Sequence, residues 1–307
     1  MNYRMVLKIL GYVFMVESAC MLPSMVVSII YKQGDNMAFL ITIIMLALLG
    51  VVMSRISVKN KNFYARDGFA IVSLGWILVS AFGAFPFVIS GAIPSYVDAF
   101  FETVSGFTTT GSSILREVES LPKGILFWRS FTNWVGGMGV LVMMLAVMPA
   151  AGANTVHIMK AESPGPDPGK LVPRIGKSSK ILYLMYIGLS LTMAAFLLIG
   201  GMPLYDTLVH AFSTAGTGGF SNRNLSVGAY NNLYYEIIIA VAMFLFGVNF
   251  TLYYRTLKGD IKNVLKDEEL RFYFFTVIAA IILITWNLCG PIFNTIGESL
   301  RQASFQV

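Results

Sequence analysis

Apolar residues fall in seven long runs separated by short polar stretches: residues 9–30, 37–54, 68–97, 130–161, 181–205, 237–254 and 272–297. A helix needs about 20 apolar residues to cross a bilayer, so each run predicts one spanning helix. The first run carries Glu17 and Pro23, and the fourth carries His157 and Lys160 near one end. Basic residues Arg4 and Lys8 precede the first run. It is too long for a signal peptide and lacks a small-residue cleavage site, which predicts a retained span.

Two of the polar joints repeat one another. The first reads Asp98-Ala-Phe-Phe-Glu-Thr-Val-Ser-Gly-Phe-Thr-Thr-Thr-Gly111 and the second Asp206-Thr-Leu-Val-His-Ala-Phe-Ser-Thr-Ala-Gly-Thr-Gly-Gly219. Asp98 to Asp206 and Gly111 to Gly219 are each 108 positions apart. Each copy is a short apolar stretch running into Thr and Gly between two long apolar runs. That layout predicts a re-entrant pore helix followed by an extended ion filter.

Composition supports a membrane protein. The chain is 56% hydrophobic and 12% charged, with mean hydropathy +0.70, whereas soluble domains carry roughly 25% charged residues. The net charge of +6 marks sidedness and not a nucleic-acid partner. With the N-terminus in the cytosol and seven crossings, 16 of the 22 Lys and Arg residues fall inside, as the positive-inside rule expects. Lys32, Arg116, Lys123, Arg129, Arg223 and Arg301 fall outside. If residues 95–111 crossed completely, the basic stretch from Lys160 to Lys180 would face outward. The segment must therefore enter from outside and return there, and the same holds for residues 204–219. Cys20 and Cys289 lie in apolar runs, which predicts buried thiols with no disulfide framework or metal site.

The repeated joints carry the candidate chemistry. Pro94-Ser95 and Pro203 read as helix starts, with Asp98 and Asp206 in the first turns, where a carboxylate complements the helix dipole. The opposite helix ends, with unpaired carbonyls aimed at the membrane middle, favour a cation. Irregular backbone at that depth must line a wet or ion-filled path. The candidate ion ligands are Thr109, Thr110, Gly111, Ser112, Thr217, Gly218, Gly219 and Phe220. Glycine supplies the positive φ that turns carbonyls inward, and threonine adds a hydroxyl oxygen. Neither filter contains a charge, which disfavours a divalent cation and suits a weakly held monovalent one.

The expected fold is an all-α polytopic membrane protein of repeated helix–pore helix–filter–helix units behind two extra N-terminal helices. The expected divisions are an N-terminal helix pair (1–57), a first pore repeat (58–152), a cytosolic linker (153–177), a second pore repeat (178–256) and the start of a third (257–307). In the third, Cys289-Gly290-Pro291 stops the helix. Phe305-Gln306 resembles Phe101-Glu102, and on that register the sequence stops about eight residues before a third filter glycine, as a fragment of a longer protein would. The Pro- and Gly-rich stretch from Glu162 to Lys170 reads as a connector, with a docking surface for a gating subunit as the alternative. Gly136, Gly137 and Gly139 read as close-packing positions behind the first filter. Trp128, Tyr234 and Tyr235 read as interfacial anchors. Glu17 and Glu236 read as snorkelling or packed acids with a functional alternative, and His210 as a packing residue matching Glu102.

Phe107-Thr-Thr-Thr-Gly111, Asn133-Trp-Val-Gly-Gly-Met-Gly139 and Ser213-Thr-Ala-Gly-Thr-Gly-Gly-Phe-Ser221 resemble the Trk/Ktr/HKT superfamily of potassium transporters, specifically its bacterial TrkH type. The resemblance covers essentially the whole chain. It implies four pore repeats around one pseudo-fourfold axis, of which this chain holds two complete filters. It also implies a homodimer in the bacterial inner membrane, gated by a cytosolic nucleotide-binding ring of the TrkA type. Glycine at the central filter position goes with potassium preference, so Gly111 and Gly219 imply K+ as the transported ion. Membrane lipid is then a partner and nucleic acid is not. The competing readings are a non-conducting fragment, a Na+- or H+-coupled symporter of the same fold, an assembly of short chains, and an intramembrane aspartyl protease using Asp98 and Asp206. Against the last, no Gly-x-Gly-Asp follows and both aspartates sit at outer helix starts.

Overall fold

The computed structural model describes residues 1–58, 65–139 and 175–307. The expected linker is almost wholly outside these residues, and so is most of the fourth expected span. Helix α1 (Tyr3–Tyr31) starts where the Asn2 side chain accepts from the Met5 amide, and tolerates Pro23 in its interior. A left-handed Lys32 ends it. Helix α2 (Asn36–Ser54) folds back antiparallel. The two backbones meet at Gly11 and Gly50, where a Cβ on either would overlap the other helix. Small residues at such a crossing replace the hydrophobic drive that helices lack in lipid. At the other end the Ser28 hydroxyl donates to Asp35 at 2.5 Å.

Next come α3 (Ala65–Gly83), the short α4 (Phe85–Ile89), α5 (Tyr96–Phe107) and α6 (Lys123–Gly137). The expected span 68–97 thus ends at Ile89, and a turn through Gly91 (φ +76°) leads into α5. Helices α7 (Ile175–Ile199) and α8 (Leu204–Ala215) follow the undescribed stretch, and a 3-10 turn (Ser226–Tyr230) leads to α9 (Leu233–Phe246). The expected span 237–254 does not run straight. It breaks between α9 and α10 (Phe250–Leu257) with a 90° bend. Gly247 ends the first helix, and the Asn249 side chain starts the second by accepting from the Thr251 amide. Chain then passes through α11 (Ile261–Val264) to α12 (Glu268–Leu288) and α13 (Ile296–Gln306). Thr295 caps α13 by accepting from the Glu298 amide.

Among the described residues five helices are long and apolar enough to cross a membrane, six if the bent pair counts as one. Their exposed faces are apolar, as at Val52, Ile199, Phe272 and Trp286. Helix α12 buries none of its residues against the other described elements.

Among the described residues the interior holds four apolar clusters, two of them large. One large cluster joins Phe14, Phe39, Phe107, Trp128 and Phe131, and the other joins Tyr186, Leu197, Ala211, Ile239 and Phe246. Trp134 on α6 packs against both, with its indole nitrogen donating to Ser190 at 3.1 Å. Three sequence expectations change here. Trp128 is fully buried and its indole donates to the Gly83 carbonyl, so it is a core residue and not an interfacial anchor. Tyr235 is buried, and the Tyr234 and Tyr235 hydroxyls donate to Phe196 and Gly200 carbonyls at the end of α7. Glu17 does not snorkel: it is buried, and neither carboxyl oxygen has a hydrogen-bond partner among the described residues. Glu236 instead forms a two-point ion pair with Arg301 on α13.

Candidate filter site

Helices α5 and α8 are both twelve residues long and both follow a proline-containing turn. Ser95 caps α5 by accepting from the Asp98 amide, with Asp98 in the first turn. Asp206 occupies the same place in α8 and does more. Its carboxylate accepts from Asn222 at 2.6 Å and from the Tyr230 hydroxyl at 2.8 Å. It thereby ties the chain beyond the second Thr-Gly segment to the start of α8. Burial first, and then that bond to Asp206, push the Tyr230 phenol above its ordinary range.

Both short helices end in the same way. The Thr109 amide donates to the Gly106 carbonyl and Thr110 to Ser105; in the second copy Thr217 donates to Thr214 and Gly218 to Ser213. This is the paired closure of a Schellman motif, with a left-handed residue just past the helix. That residue is usually glycine, but here it is Thr109 (φ +56°) and Thr217 (φ +55°). Two residues on, Gly111 (φ +74°) and Gly219 (φ +84°) are left-handed again. The expectation of unpaired helix-end carbonyls is corrected in part: those of Ser105, Gly106, Ser213 and Thr214 are taken by the amides that follow each helix, whereas no backbone amide among the described residues donates to those of Phe107 and Ala215. Each filter is thus hydrogen-bonded to the helix it leaves. Left-handed residues at alternate positions break the extended alternation that would send successive carbonyls to opposite sides.

The two filters meet. A Cβ added at Gly111 would overlap the Gly218 carbonyl oxygen, whereas one at Gly219 would meet nothing within 4 Å. Thr110 and Ser112 are exposed, and the Thr110 hydroxyl lies 2.8 Å from that of Thr108. The Thr217 hydroxyl donates to the Gly216 carbonyl at 2.7 Å, which fixes its orientation. The Phe220 side chain is buried. Behind the filters α6 supplies the close packing its glycines suggested. A Cβ at Gly136 would overlap the Phe107 backbone, and one at Gly137 would lie 3.0 Å from Gly216 Cα in the other copy. Gly139 packs instead against Trp76. Asn133 donates to Ser213. A cavity of about 500 Å³ lies beside the second filter, lined by Thr214, Gly218 and Gly219 and by Gln302, Phe305 and Gln306 of α13.

Beyond the filters the two copies hold their exit strands differently. In the first, Glu102 accepts from the Ser113 hydroxyl and the Ile114 amide, each at 2.9 Å. In the second, 108 positions later, His210 Nε2 faces the Ser221 hydroxyl at 3.2 Å. His210 Nδ1 lies 2.8 Å from the Asp206 carbonyl, which can only accept. Nδ1 therefore carries the proton and Nε2 accepts from Ser221. Farther out Asn224 clasps the other loop: its side-chain carbonyl accepts from the Val118 amide, and its Nδ2 donates to Glu117.

Arg129 is the residue that sequence reasoning missed. It was counted among outward charges, yet it is 4% exposed and paired with Glu102. Its partners lie 27 and 92 positions away, and only the run of polar residues in an otherwise apolar α6 hinted at them. The protease alternative has no support in the geometry, since Asp206 is engaged by its own loop and Asp98 begins a different helix.

The family model TrkH, described as cation transport protein, matches residues 35–296. The chain is 34% identical over 314 residues to the Trk system potassium uptake protein TrkH of Salmonella typhimurium, covering 100% of this chain and 65% of that protein. It is 35% identical over 291 residues to the Trk system potassium uptake protein TrkG of Escherichia coli, covering 94% of this chain and 60% of that one. The crystal structure of the potassium transporter TrkH from Vibrio parahaemolyticus superposes with a TM-score of 0.85 at 30% identity, over 100% of this chain and 64% of that one. The chain thus spans a little under two thirds of the length of these relatives. With two short helices closed alike, matched left-handed Thr and Gly residues beyond them and these similarities together, the chain belongs to the TrkH family of membrane cation transport proteins and not to an enzyme family.

Proposed function

We propose that this chain supplies two adjacent filters of a potassium-uptake pathway across the bacterial inner membrane, with its N-terminus in the cytosol. One observation carries the reading. The pattern Thr left-handed, one residue, Gly left-handed recurs 108 positions apart after two short helices closed alike, and the two glycine regions touch. K+ is the transported substrate. The carbonyls around Thr109, Thr110, Gly111, Ser112, Thr217, Gly218, Gly219 and Phe220 replace its water. The absence of charge among these residues keeps the ion weakly held, so that it leaves as readily as it enters. The names of the relatives support the substrate, and the basic residues of α10 to α12, from Arg255 to Arg271, support the sidedness. A homodimer and a cytosolic nucleotide-binding partner of the TrkA type complete the reading.

The test is rubidium uptake by potassium-uptake-deficient cells expressing the full reading frame. Gly111→Ser abolishes or severely reduces uptake, because its side chain would overlap the Gly218 carbonyl. Gly219→Ser leaves measurable uptake with weakened discrimination against Na+, because there is space but the backbone remains left-handed. Unchanged flux and selectivity in both variants would overturn the filter assignment.

A further inference from the structure

Arg129 stands where the two filters are joined. Its Nε donates to Glu102, its Nη1 donates to the Ser221 carbonyl at 3.1 Å, and its guanidinium carbon lies over the Phe220 ring, 3.7 Å from the centroid. Glu102 in turn holds Ser113 and Ile114, just past the first filter. One guanidinium therefore connects the exit of filter one, through Glu102, to the exit of filter two. Both members of the pair are almost wholly buried, at 4% and 1% exposure. A planar fork with a stacking face suits this three-way contact, which an ammonium could not reproduce.

The arrangement is one-sided. Where the first copy has Glu102, the second has His210, which carries no negative charge. The charge of Arg129 is thus balanced by Glu102 alone among the described residues that touch it. We propose that Arg129 and Glu102 form a selectivity-positioning pair that fixes the spacing of filters one and two and cancels a positive charge that would otherwise repel the transported cation. This rests on the filter assignment. Arg129 acts through Glu102, Ser221 and Phe220 and not as an ion ligand. Burying one charge without its partner is costly, whereas replacing both with neutral groups is tolerated, so the pair makes a double-substitution test possible.

The experiment uses the full reading frame in the same uptake-deficient cells. Rubidium half-saturation and the Rb+ to Na+ uptake ratio are measured with the amount of protein in the membrane. Glu102→Gln leaves an unbalanced guanidinium and raises the half-saturation concentration about tenfold, as expected for one uncompensated buried charge near a cation path. Adding Arg129→Gln to it brings half-saturation back to within about threefold of the parent. Arg129→Lys keeps the charge but loses the fork, so it lowers the Rb+ to Na+ ratio while half-saturation moves less than about twofold. Protein abundance alters maximal uptake only, so a purely structural role would not produce this split. If Glu102→Gln does not accumulate, the Arg129→Lys ratio decides alone, and an unchanged ratio overturns the proposal. Independent, additive effects of the two Gln substitutions also overturn it. Gly111→Ser serves as control: if it alters uptake while the pair shows no coupling, only the positioning role fails. If Gly111→Ser is silent, the filter assignment itself fails.

Discussion

The threonines at the helix exits are the residues whose backbone is least at ease. A left-handed conformation costs a residue with a β-carbon roughly 1–2 kcal/mol, and more crowding follows when that carbon is branched. Thr109 and Thr217 both accept that conformation where glycine would not be strained. Such strain persists at functional sites because the surroundings over-determine it. Thr109→Gly is therefore expected to stabilise the protein by about 1 kcal/mol, raising the melting temperature in detergent by roughly 2–4 °C, while reducing discrimination against Na+. A variant that loses stability would show that the threonine is not strained there. Asp206 gives the opposite case. Asp206→Ala leaves the buried Asn222 amide and the Tyr230 hydroxyl without their acceptor. A loss of roughly 1–3 kcal/mol is expected, read as a lower melting temperature. The left-handed backbone at Gly111 and Gly219 was legible in the sequence because glycine at a fixed offset states a backbone requirement locally. Arg129 was not, because its role depends on Glu102 and Ser221, which the chain alone does not place beside it.

At the scale of elements, the sequence marks starts and stops well wherever a cap is local. Ser95, Asn249, Asp267 and Thr295 all accept from an amide two or three residues on, and each begins a helix. The apolar run 237–254 misled, since hydropathy counts side chains and is blind to the direction of the axis. Gly247 and Asn249 together turn it by 90°. Beyond the bend, Arg255 pairs with Asp260 and Asp267, holding α10 to the start of α12. Asn249→Ala removes the cap and is expected to cost about 1 kcal/mol. Because the bend sits far from the filters in sequence, uptake should fall without a change in the Rb+ to Na+ ratio. A changed ratio would place α10 in contact with the filter.

For the whole molecule, the question is how two copies of one pattern become one site. Helix α6 answers it. Its Gly136 and Gly137 let the ends of α5 and α8 approach, Trp134 joins the two large apolar clusters, and Asn133 and Arg129 reach into the second copy. Gly137→Val would drive a branched side chain into Gly216 and the Tyr186 hydroxyl. Loss of folded protein is the expected result, measured as lower yield of a monodisperse detergent-solubilised species. Orientation has its own check. With Cys20 and Cys289 replaced by serine, Leu225→Cys is expected to react with an impermeant thiol reagent on intact cells, and Leu257→Cys only after permeabilisation. Both positions are highly exposed, at 77% and 75%. The reverse pattern would invert the topology.

The sequence by itself determined the long apolar helices of a membrane protein and the two short segments between them whose Thr and Gly residues repeat at one offset. These follow from hydrophobic length and backbone propensity, which act over a few residues at a time. Only the tertiary structure decided that the filters touch at Gly111 and Gly218, that the carbonyls of Ser105, Gly106, Ser213 and Thr214 are capped, that Trp128 and Glu17 are interior, and that a buried Arg129 links one filter to the other. Those facts depend on which distant side chains share a place, and in lipid that is settled by close packing and by the need of each buried polar group for a partner.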